Sequence, residues 1–276
     1  MAGVDTKEPL PIVVAGDVFD RWDTPVEFVN FVIGRLPNTT ILAVSGQHDQ
    51  PHHRLGDLHK SAYWTLVEAG RVNNLEPGVV FRHDGFMVWG FPWGVEPTPR
   101  KRDGSEFGYG VCLAVVHRYL WSEGHTYPDA PQDRHVDATA PLLAGFDAAV
   151  FGDNHQPFIW ESGLHRPEVG TIMNHGAFIR RRADERHLTP AAGILWSDGT
   201  ITTAPLDTSG DVWANNPGAA AELEPAGVDP GELIRLLETA ADGSASFRDA
   251  AMRYIETNAV APATAALVRE WLEAKT

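Results

Sequence analysis

The α/β character of the chain is first indicated by residues 10–20, LPIVVAGDVFD. A short β-branched apolar run there ends in Gly16 and Asp17, which is typical of a buried strand that carries a polar loop at its carboxyl end. Residues 40–45, TILAVS, repeat the pattern and end in residues 46–49, GQHD. The two segments predict buried strands, and loops at such strand ends are where α/β folds assemble ligand sites.

Two helices are predicted between and after these strands. Residues 24–36 have Thr24 as a capping hydroxyl, Pro25 at the first helical position and a glutamate three residues after the threonine. Residues 58–69 form a second helical stretch that closes on Gly70, a good left-handed terminator. Alternation of strand and helix indicates a layered α/β fold.

Further short strands are predicted along the chain, and polar residues again follow two of them. They cover residues 86–90, 113–117, 148–151, 171–175, 193–196 and 200–204. The strand predicted for residues 148–151 leads into residues 152–155, GDNH, and the one predicted for residues 113–117 ends in His117. The last two flank Asp198-Gly199, a dipeptide that favours a hairpin turn.

The chain is expected to have one main domain and an appendage. Residues 1–208 carry the α/β pattern, and residues 209–228 are rich in proline, glycine and alanine, which is typical of a linker. Residues 229–276 place leucines and aromatic residues at helical spacing and predict a small helical appendage.

Composition sets the class of protein and the chemistry of any metal site. The chain has 276 residues, 43% of them hydrophobic, and a formal net charge of −15. Its apolar runs are too short for a membrane span and no signal segment is recognisable, so a cytoplasmic protein is expected. Because Cys112 is the only cysteine, a metal site must use His, Asp, Asn or Gln. The negative charge argues against general adhesion to nucleic acid, although a local basic patch could still bind phosphates.

Metal-binding residue types follow four strands in a defined order. The motifs are residues 16–21 (GDVFDR), residues 46–49 (GQHD), His117 and residues 152–155 (GDNH). In this order they resemble the calcineurin-like metallophosphoesterase superfamily, whose pattern runs Asp-x-His, Gly-Asp-x-x-Asp, Gly-Asn-His-Asp or Glu, a lone His and Gly-His-x-His. The resemblance covers about residues 10–206. Within the superfamily, the sequences of the first motif and of residues 174–180, NHGAFIR, are most similar to those of SbcD-type DNA repair exonucleases and their phage-encoded relatives.

The resemblance implies a layered β-sandwich flanked by helices and a site for two divalent ions. It implies that Asp17 bridges both ions, that Gln47, His117 and Asp153 bind the second, and that His155 binds the first. Manganese is the expected metal, because the ligands mix oxygen and imidazole without thiolate; Mg²⁺, Fe²⁺ and Zn²⁺ are the alternatives.

The resemblance also implies catalytic roles and partners. His48 would protonate the leaving oxygen and Asp49 would orient it. Candidate substrate-binding residues are Asp20, Arg21, His53, His175 and Arg180. The implied substrate is DNA or another phosphodiester, and the implied protein partners are an SbcC-like ATPase, which the helical appendage would contact, and a second copy of the chain.

The chain departs from the family pattern at three places. Gln47 stands where Asn is usual, Asp153 stands where His is usual, and no Asp-x-His occurs in residues 1–15. The last departure leaves three alternatives: a start that lies upstream, a protein that works with one metal, or a chain that does not catalyse. Two other functions therefore stay open, a phosphatase or phosphodiesterase on nucleotides or small phosphate esters, and a binding scaffold.

Ordinary structural roles also stay open for several of these residues. His52 and His53 could belong to a solvated loop, and His175 could be held by hydrogen bonds at a strand end. Residues 180–182 could be solvated arginines balanced by acidic neighbours that include Glu185.

Overall fold

The described part of the chain comprises residues 10–83, 85–101, 110–127, 129–162, 169–180 and 185–211, with Met252, of a computed structural model. The chain divides into two units, Met1–Gly210 and Asp211–Thr276. The predicted linker and helical appendage fall almost wholly outside the described residues, so both stay predictions.

The first predicted strands form a three-stranded parallel sheet. It contains β1 (Ile12–Ala15), β2 (Ile41–Val44) and β3 (Asn73–Asn74), which pair in this order. Ile12 lies beside Ile41 and Ala15 beside Val44, so β1 and β2 run in register and end level with each other. Their level ends bring the Gly16-Asp17 loop next to the loop that starts at Gly46.

A six-stranded mixed sheet contains most of the remaining strands. Its members are β4 (Val80–His83), β5 (Phe86–Phe91), β6 (Val111–His117), β7 (Phe146–Gly152), β8 (Phe158–Glu161) and β9 (Val169–Asn174). The order is β4-β5-β6-β7-β9-β8. The central strands β5, β6, β7 and β9 are parallel, while β4 and β8 pair with their neighbours in antiparallel fashion at the edges. A separate antiparallel hairpin joins β10 (Ala191–Leu195) to β11 (Ile201–Pro205) through the predicted Asp198-Gly199 turn.

The two larger sheets share one apolar core. Ala15 and Val44 of the small sheet pack with Leu113, Val115 and Ala148 of the large one. Burial of each large aliphatic side chain of this kind stabilises the fold by about 1.5–3 kcal/mol. The sheets therefore face each other, and the predicted α/β class is confirmed.

Helices cover the outer faces of both sheets. Against the small sheet, α1 (Val26–Arg35) and α2 (Ala62–Glu68) bury residues such as Val29 and Tyr63. Against the large sheet, α3 (Val136–Thr139) packs with short 3₁₀ turns at Gln132–Arg134 and Ala140–Leu143. No helix in the described ranges is long and apolar enough to cross a bilayer.

Both predicted helices differ from the structure at their amino ends. Pro25 is the N-cap residue of α1, and the hydroxyl of Thr24 donates to the carbonyl of Arg21 over 2.6 Å, so the predicted capping box is wrong. The helix predicted for residues 58–69 is divided at Ser61. A 3₁₀ turn, Leu55–Lys60, precedes this serine, whose hydroxyl oxygen accepts from the N–H of Trp64 and so starts α2.

Candidate metal centre

His117, the last residue of β6, lies at the centre of the candidate site and is 1% exposed. Its Nδ1–H donates to the carbonyl of Ala15 over 2.5 Å. Its Nε2 therefore faces the other way, 2.5 Å from Oε1 of Gln47 and 3.4 Å from Oδ2 of Asp17. A hydrogen bond from the far ring nitrogen to a carbonyl is the arrangement that fixes a metal-binding histidine.

Asp17 enters the site through an unusual backbone conformation. Its φ is 51°, and the preceding Gly16 has a φ of 87°. Its Oδ1 accepts from the main-chain N–H of His48 over 3.0 Å, so the end of β1 is bonded directly to the end of β2. Left-handed backbone at a residue other than glycine is costly and concentrates at functional sites.

Asp17 and His117 shift each other's ionisation. Burial opposes the charged form of Asp17, but hydrogen bonding and the charge of His117 outweigh it and lower the pKa of Asp17. For His117, burial opposes the protonated form, but Asp17 and the Ala15 carbonyl prevail and raise its pKa above 6.5. In the absence of a metal ion, a proton on Nε2 relieves the repulsion between this nitrogen and the two facing oxygens.

Three glycines allow the strand ends to approach this closely. A Cβ on Gly16 would overlap Nδ1 of His117, and a Cβ on Gly46 would overlap Oδ1 of Asp17. A Cβ on Gly152 would overlap the carbonyl oxygen of Ala15. The glycine of each motif is therefore required by the close approach of a neighbouring strand end.

Asp153 follows β7 and joins the site through Gln47. Its φ is 85°, another left-handed value. The Nε2–H of Gln47 donates to Oδ1 of Asp153 over 2.8 Å, while Oε1 of the same amide faces His117. Gln47 thus links the end of β6 to the end of β7.

Asp49 has a different partner from the one the resemblance implied. It is fully buried, and its carboxylate accepts from the main-chain N–H groups of Val18, Phe19 and Gly46 at 3.2, 3.0 and 2.9 Å. Within the described residues, no hydrogen bond joins Asp49 to His48. The carboxylate points inward because three buried N–H donors would otherwise lack an acceptor.

Ionisation of Asp49 is opposed by its surroundings. Burial raises the pKa of Asp49 to about 6, against the opposing effect of the N–H groups of Gly46 and Phe19, and the charge of Asp17 adds to the rise. His48 itself is half exposed, with Nε2 4.0 Å from Oδ2 of Asp17. Its imidazole is therefore open to solvent.

His155 lies at the rim and has a carboxylate partner that the sequence did not reveal. Its Nδ1–H donates to Oε1 of Glu185 over 2.9 Å, and Glu185 is 5% exposed. In the described part of the chain, His155 and Asp17 do not approach within 4.0 Å to form an ion pair. The burial of Glu185, and hence this contact, cannot be read from local sequence.

The remaining candidate residues have varied roles. Asn174 donates to the carbonyls of Asn154 and Gln156, and in the described structure Nδ1 of the half-buried His175 has no hydrogen-bond partner. Burial lowers the pKa of His175, and the charges of His117 and His155 add to the effect. Arg180 donates to the carbonyls of Arg186 and Leu188.

A cavity of about 240 Å³ opens beside the site and is called the Trp22 cavity here. It lies between residues 20–23 and residues 47–53, so it contains Asp20, Arg21 and His53 of the predicted substrate-binding set. Gln47 and His48 also line it. The cavity is therefore continuous with the candidate metal centre.

The donor set that converges consists of one carboxylate, one amide oxygen and one imidazole. Among the described residues, no group of three or more His, Cys, Asp or Glu side chains is arranged to hold a metal. Asp17 and His117 are two such residues, and the third donor is Oε1 of Gln47. Oxygen and imidazole donors of this kind suit Mn²⁺ and its neighbours in the first transition row.

Comparisons of the chain with protein-family models and with curated proteins find no match in either.

Proposed function

We propose that this chain is a metal-dependent phosphodiesterase of the calcineurin-like metallophosphoesterase type, acting on DNA as an SbcD-type nuclease. The observation that carries the proposal is the pair formed by Nε2 of His117 and Oε1 of Gln47, 2.5 Å apart, with Oδ2 of Asp17 3.4 Å from the same nitrogen. A cation at Nε2, in place of the proton, would meet all three donors, and this supports a metal site there.

The fold supports the same proposal. The donors come from the carboxyl ends of β1, β2 and β6, and Asp153 adds the end of β7 through Gln47. Each of these residues occurs in a motif on which the family resemblance rests. Left-handed backbone at Asp17 and Asp153 is the strain expected where a site, and not the fold, selects the conformation.

The chain's own residues would divide the chemistry between them. Divalent ions, when bound, supply an activated water and stabilise charge on the phosphodiester. Asp17, Gln47 and His117 would hold the ions, with Asp153 positioning Gln47. His48, whose main-chain N–H is anchored on Asp17, would deliver a proton to the leaving oxygen.

The experiment compares metal content and turnover in three variants. The purified chain is loaded with Mn²⁺, and hydrolysis of linear DNA, plasmid DNA and a chromogenic phosphodiester is followed. We expect His48→Ala to keep its metal and lose at least 100-fold in kcat, because it removes the proton donor. We expect His117→Ala to lose the metal as well, whereas His59→Ala, at an exposed position, behaves like the wild type.

Two other outcomes would replace this proposal. If the folded wild type shows no bound Mn²⁺ and no turnover, the binding scaffold is favoured. That outcome would agree with the absence of a three-residue His, Cys, Asp or Glu cluster among the described residues. A much higher kcat/KM on cyclic nucleotides than on linear or plasmid DNA would favour the small-substrate enzyme. The small size of the Trp22 cavity is the observation that supports this alternative.

A further inference from the structure

We propose that the Trp22 cavity binds the nucleobase on the leaving-group side of the scissile phosphodiester. The inference rests on the proposed function and adds a substrate subsite to it. Gln47 and His48 line both the cavity and the metal centre. Because His48 is the group that would protonate the leaving oxygen, the space beyond it receives the part of the substrate attached to that oxygen.

The charges around the cavity favour a neutral ring over a second phosphate. Arg21 forms a bidentate pair with Asp23, at 2.9 and 2.8 Å, so its guanidinium already has a carboxylate partner. Asp20 lines the same cavity. The two carboxylates offset the single guanidinium, so residues 20–23 offer a second phosphate no net positive charge, whereas an uncharged heteroaromatic ring needs none.

Two aromatic rings supply a surface for such a ring. The indole of Trp22 and the imidazole of His52 lie with centroids 5.6 Å apart and planes inclined by 55°. Trp22 is partly exposed and His52 is exposed, so part of each ring can be reached. The cavity volume of about 240 Å³ is below the roughly 300–1,000 Å³ of sites for drug-sized ligands, which fits one base and not a whole dinucleotide.

One residue of the cavity wall, Gln50, has an acceptor without a hydrogen-bond partner in the described structure. Gln50 is 1% exposed, and its Nε2–H group donates to Oγ of Ser45 and to the carbonyl of Trp93, both at 3.1 Å. Its Oε1 is buried and accepts no hydrogen bond in the described structure. Such an unsatisfied acceptor is costly, so the wall of the cavity holds one unmet hydrogen-bonding group close to the two rings.

The backbone beside the rings is strained. His52 and His53 have φ values of 53° and 58°, two successive left-handed residues that are not glycine. Strain of this kind persists only where surrounding contacts enforce it and is concentrated at ligand-binding segments. Here it accompanies the ring contact between His52 and Trp22.

The test compares binding of two probes that differ only in the base. Titration calorimetry with the Mn²⁺-loaded chain measures the affinity for deoxyadenosine monophosphate and for the matching deoxyribose phosphate, each with its phosphate on the 3′ and on the 5′ oxygen, because either oxygen can be the leaving one. We expect the nucleotide to bind roughly tenfold more tightly, the gain that one stacked base gives. Trp22→Ala should abolish this gain and Trp22→Phe should keep most of it, while Trp196→Ala, on the distant hairpin, leaves it unchanged.

A second variant guards against a folding defect in Trp22→Ala. His52→Gly removes the imidazole at a position whose left-handed backbone suits glycine, so it should fold normally and still lose part of the gain. Equal affinity for the two probes in the wild type would overturn the subsite, as would a gain that survives in both Trp22→Ala and His52→Gly. A base-dependent gain without any phosphodiester hydrolysis would leave the subsite standing and refute the proposed function instead.

Discussion

Oε1 of Gln47 lies 2.5 Å from Nε2 of His117, while the Nε2–H of the same glutamine donates to Asp153 over 2.8 Å. One side chain thus spans the gap between the ends of two strands. Asparagine, the usual residue at this position in the family that the chain resembles, is one methylene shorter and cannot reach both partners from the same backbone.

Gln47→Asn is therefore expected to weaken Mn²⁺ binding about 10- to 100-fold, because the amide that faces His117 loses the hydrogen bond to Asp153 that orients it. Titration calorimetry of the purified variant measures the change. Gln132→Asn, at an exposed position in a 3₁₀ turn, is the matched control. Unchanged affinity in Gln47→Asn would show that the link to Asp153 does not matter for the metal.

Metal binding is expected to release a proton from His117. Asp17 keeps the pKa of His117 above 6.5, so at pH 6.5 the free site holds a proton that a metal must displace. As the pH is raised toward that pKa, the affinity for Mn²⁺ should rise by up to about tenfold for each pH unit. Above the pKa the affinity should no longer change with pH. Calorimetry in two buffers with different ionisation enthalpies counts the protons, and a heat that is the same in both buffers would contradict the assignment.

Asp49→Ala is expected to destabilise the fold by about 3 kcal/mol, because three buried N–H groups lose their acceptor. The cost should depend on pH. Since burial raises the pKa of Asp49 from 3.8 to about 6, its favourable contribution is complete below pH 3.8 and is lost as the pH rises through about 6.

Urea denaturation of the metal-free protein at pH 4 and pH 8 tests this sign. The destabilisation caused by Asp49→Ala should be larger at pH 4, by roughly 2.5 kcal/mol for a shift of this size. A cost that is larger at pH 8 would mean that the carboxylate form is the one that the fold stabilises.

Gly152→Ala is expected to destabilise the protein by about 1–3 kcal/mol and to weaken metal binding. The new Cβ would overlap the carbonyl oxygen of Ala15, a backbone atom that cannot swing away, and would lie 2.9 Å from Nδ1 of His117. Gly34→Ala is the control, because nothing lies within 4 Å of its added Cβ in α1. The control should gain up to about 1 kcal/mol in the same denaturation assay.

The strand ends that carry the site could be predicted from sequence because their signal is local. Apolar β-branched runs that finish in glycine and a polar residue occur at residues 12–17 and 41–49, and both became parallel strands that end at the same level. The edge strands β4 and β8 were missed, since Arg82 and Glu161 break the apolar pattern that a buried strand shows.

The side-chain partners within the site could not be predicted, because they depend on contacts distant in sequence. The carboxylate of Glu185 meets His155 across 30 residues, and the amide of Gln47 meets Asp153 across 106. The inward turn of Asp49 is a similar case. It follows from the need of three backbone donors for an acceptor, and such a need exists only after β1 and β2 have paired.

The three hydrogen bonds of Asp49 have a consequence for motion. Two of them, from Val18 and Phe19, join the turn after β1 to the turn after β2, and the bond from the His48 N–H to Asp17 adds a third tie between the same two turns. The bond from Gly46 closes the second turn on itself. The two turns should therefore fluctuate as one rigid body on the nanosecond timescale, with their amide order parameters matching those of the strands. A pocket whose walls do not move relative to one another selects ions by radius. Larger cations such as Ca²⁺ should therefore be excluded by their size, even though their charge matches that of Mn²⁺.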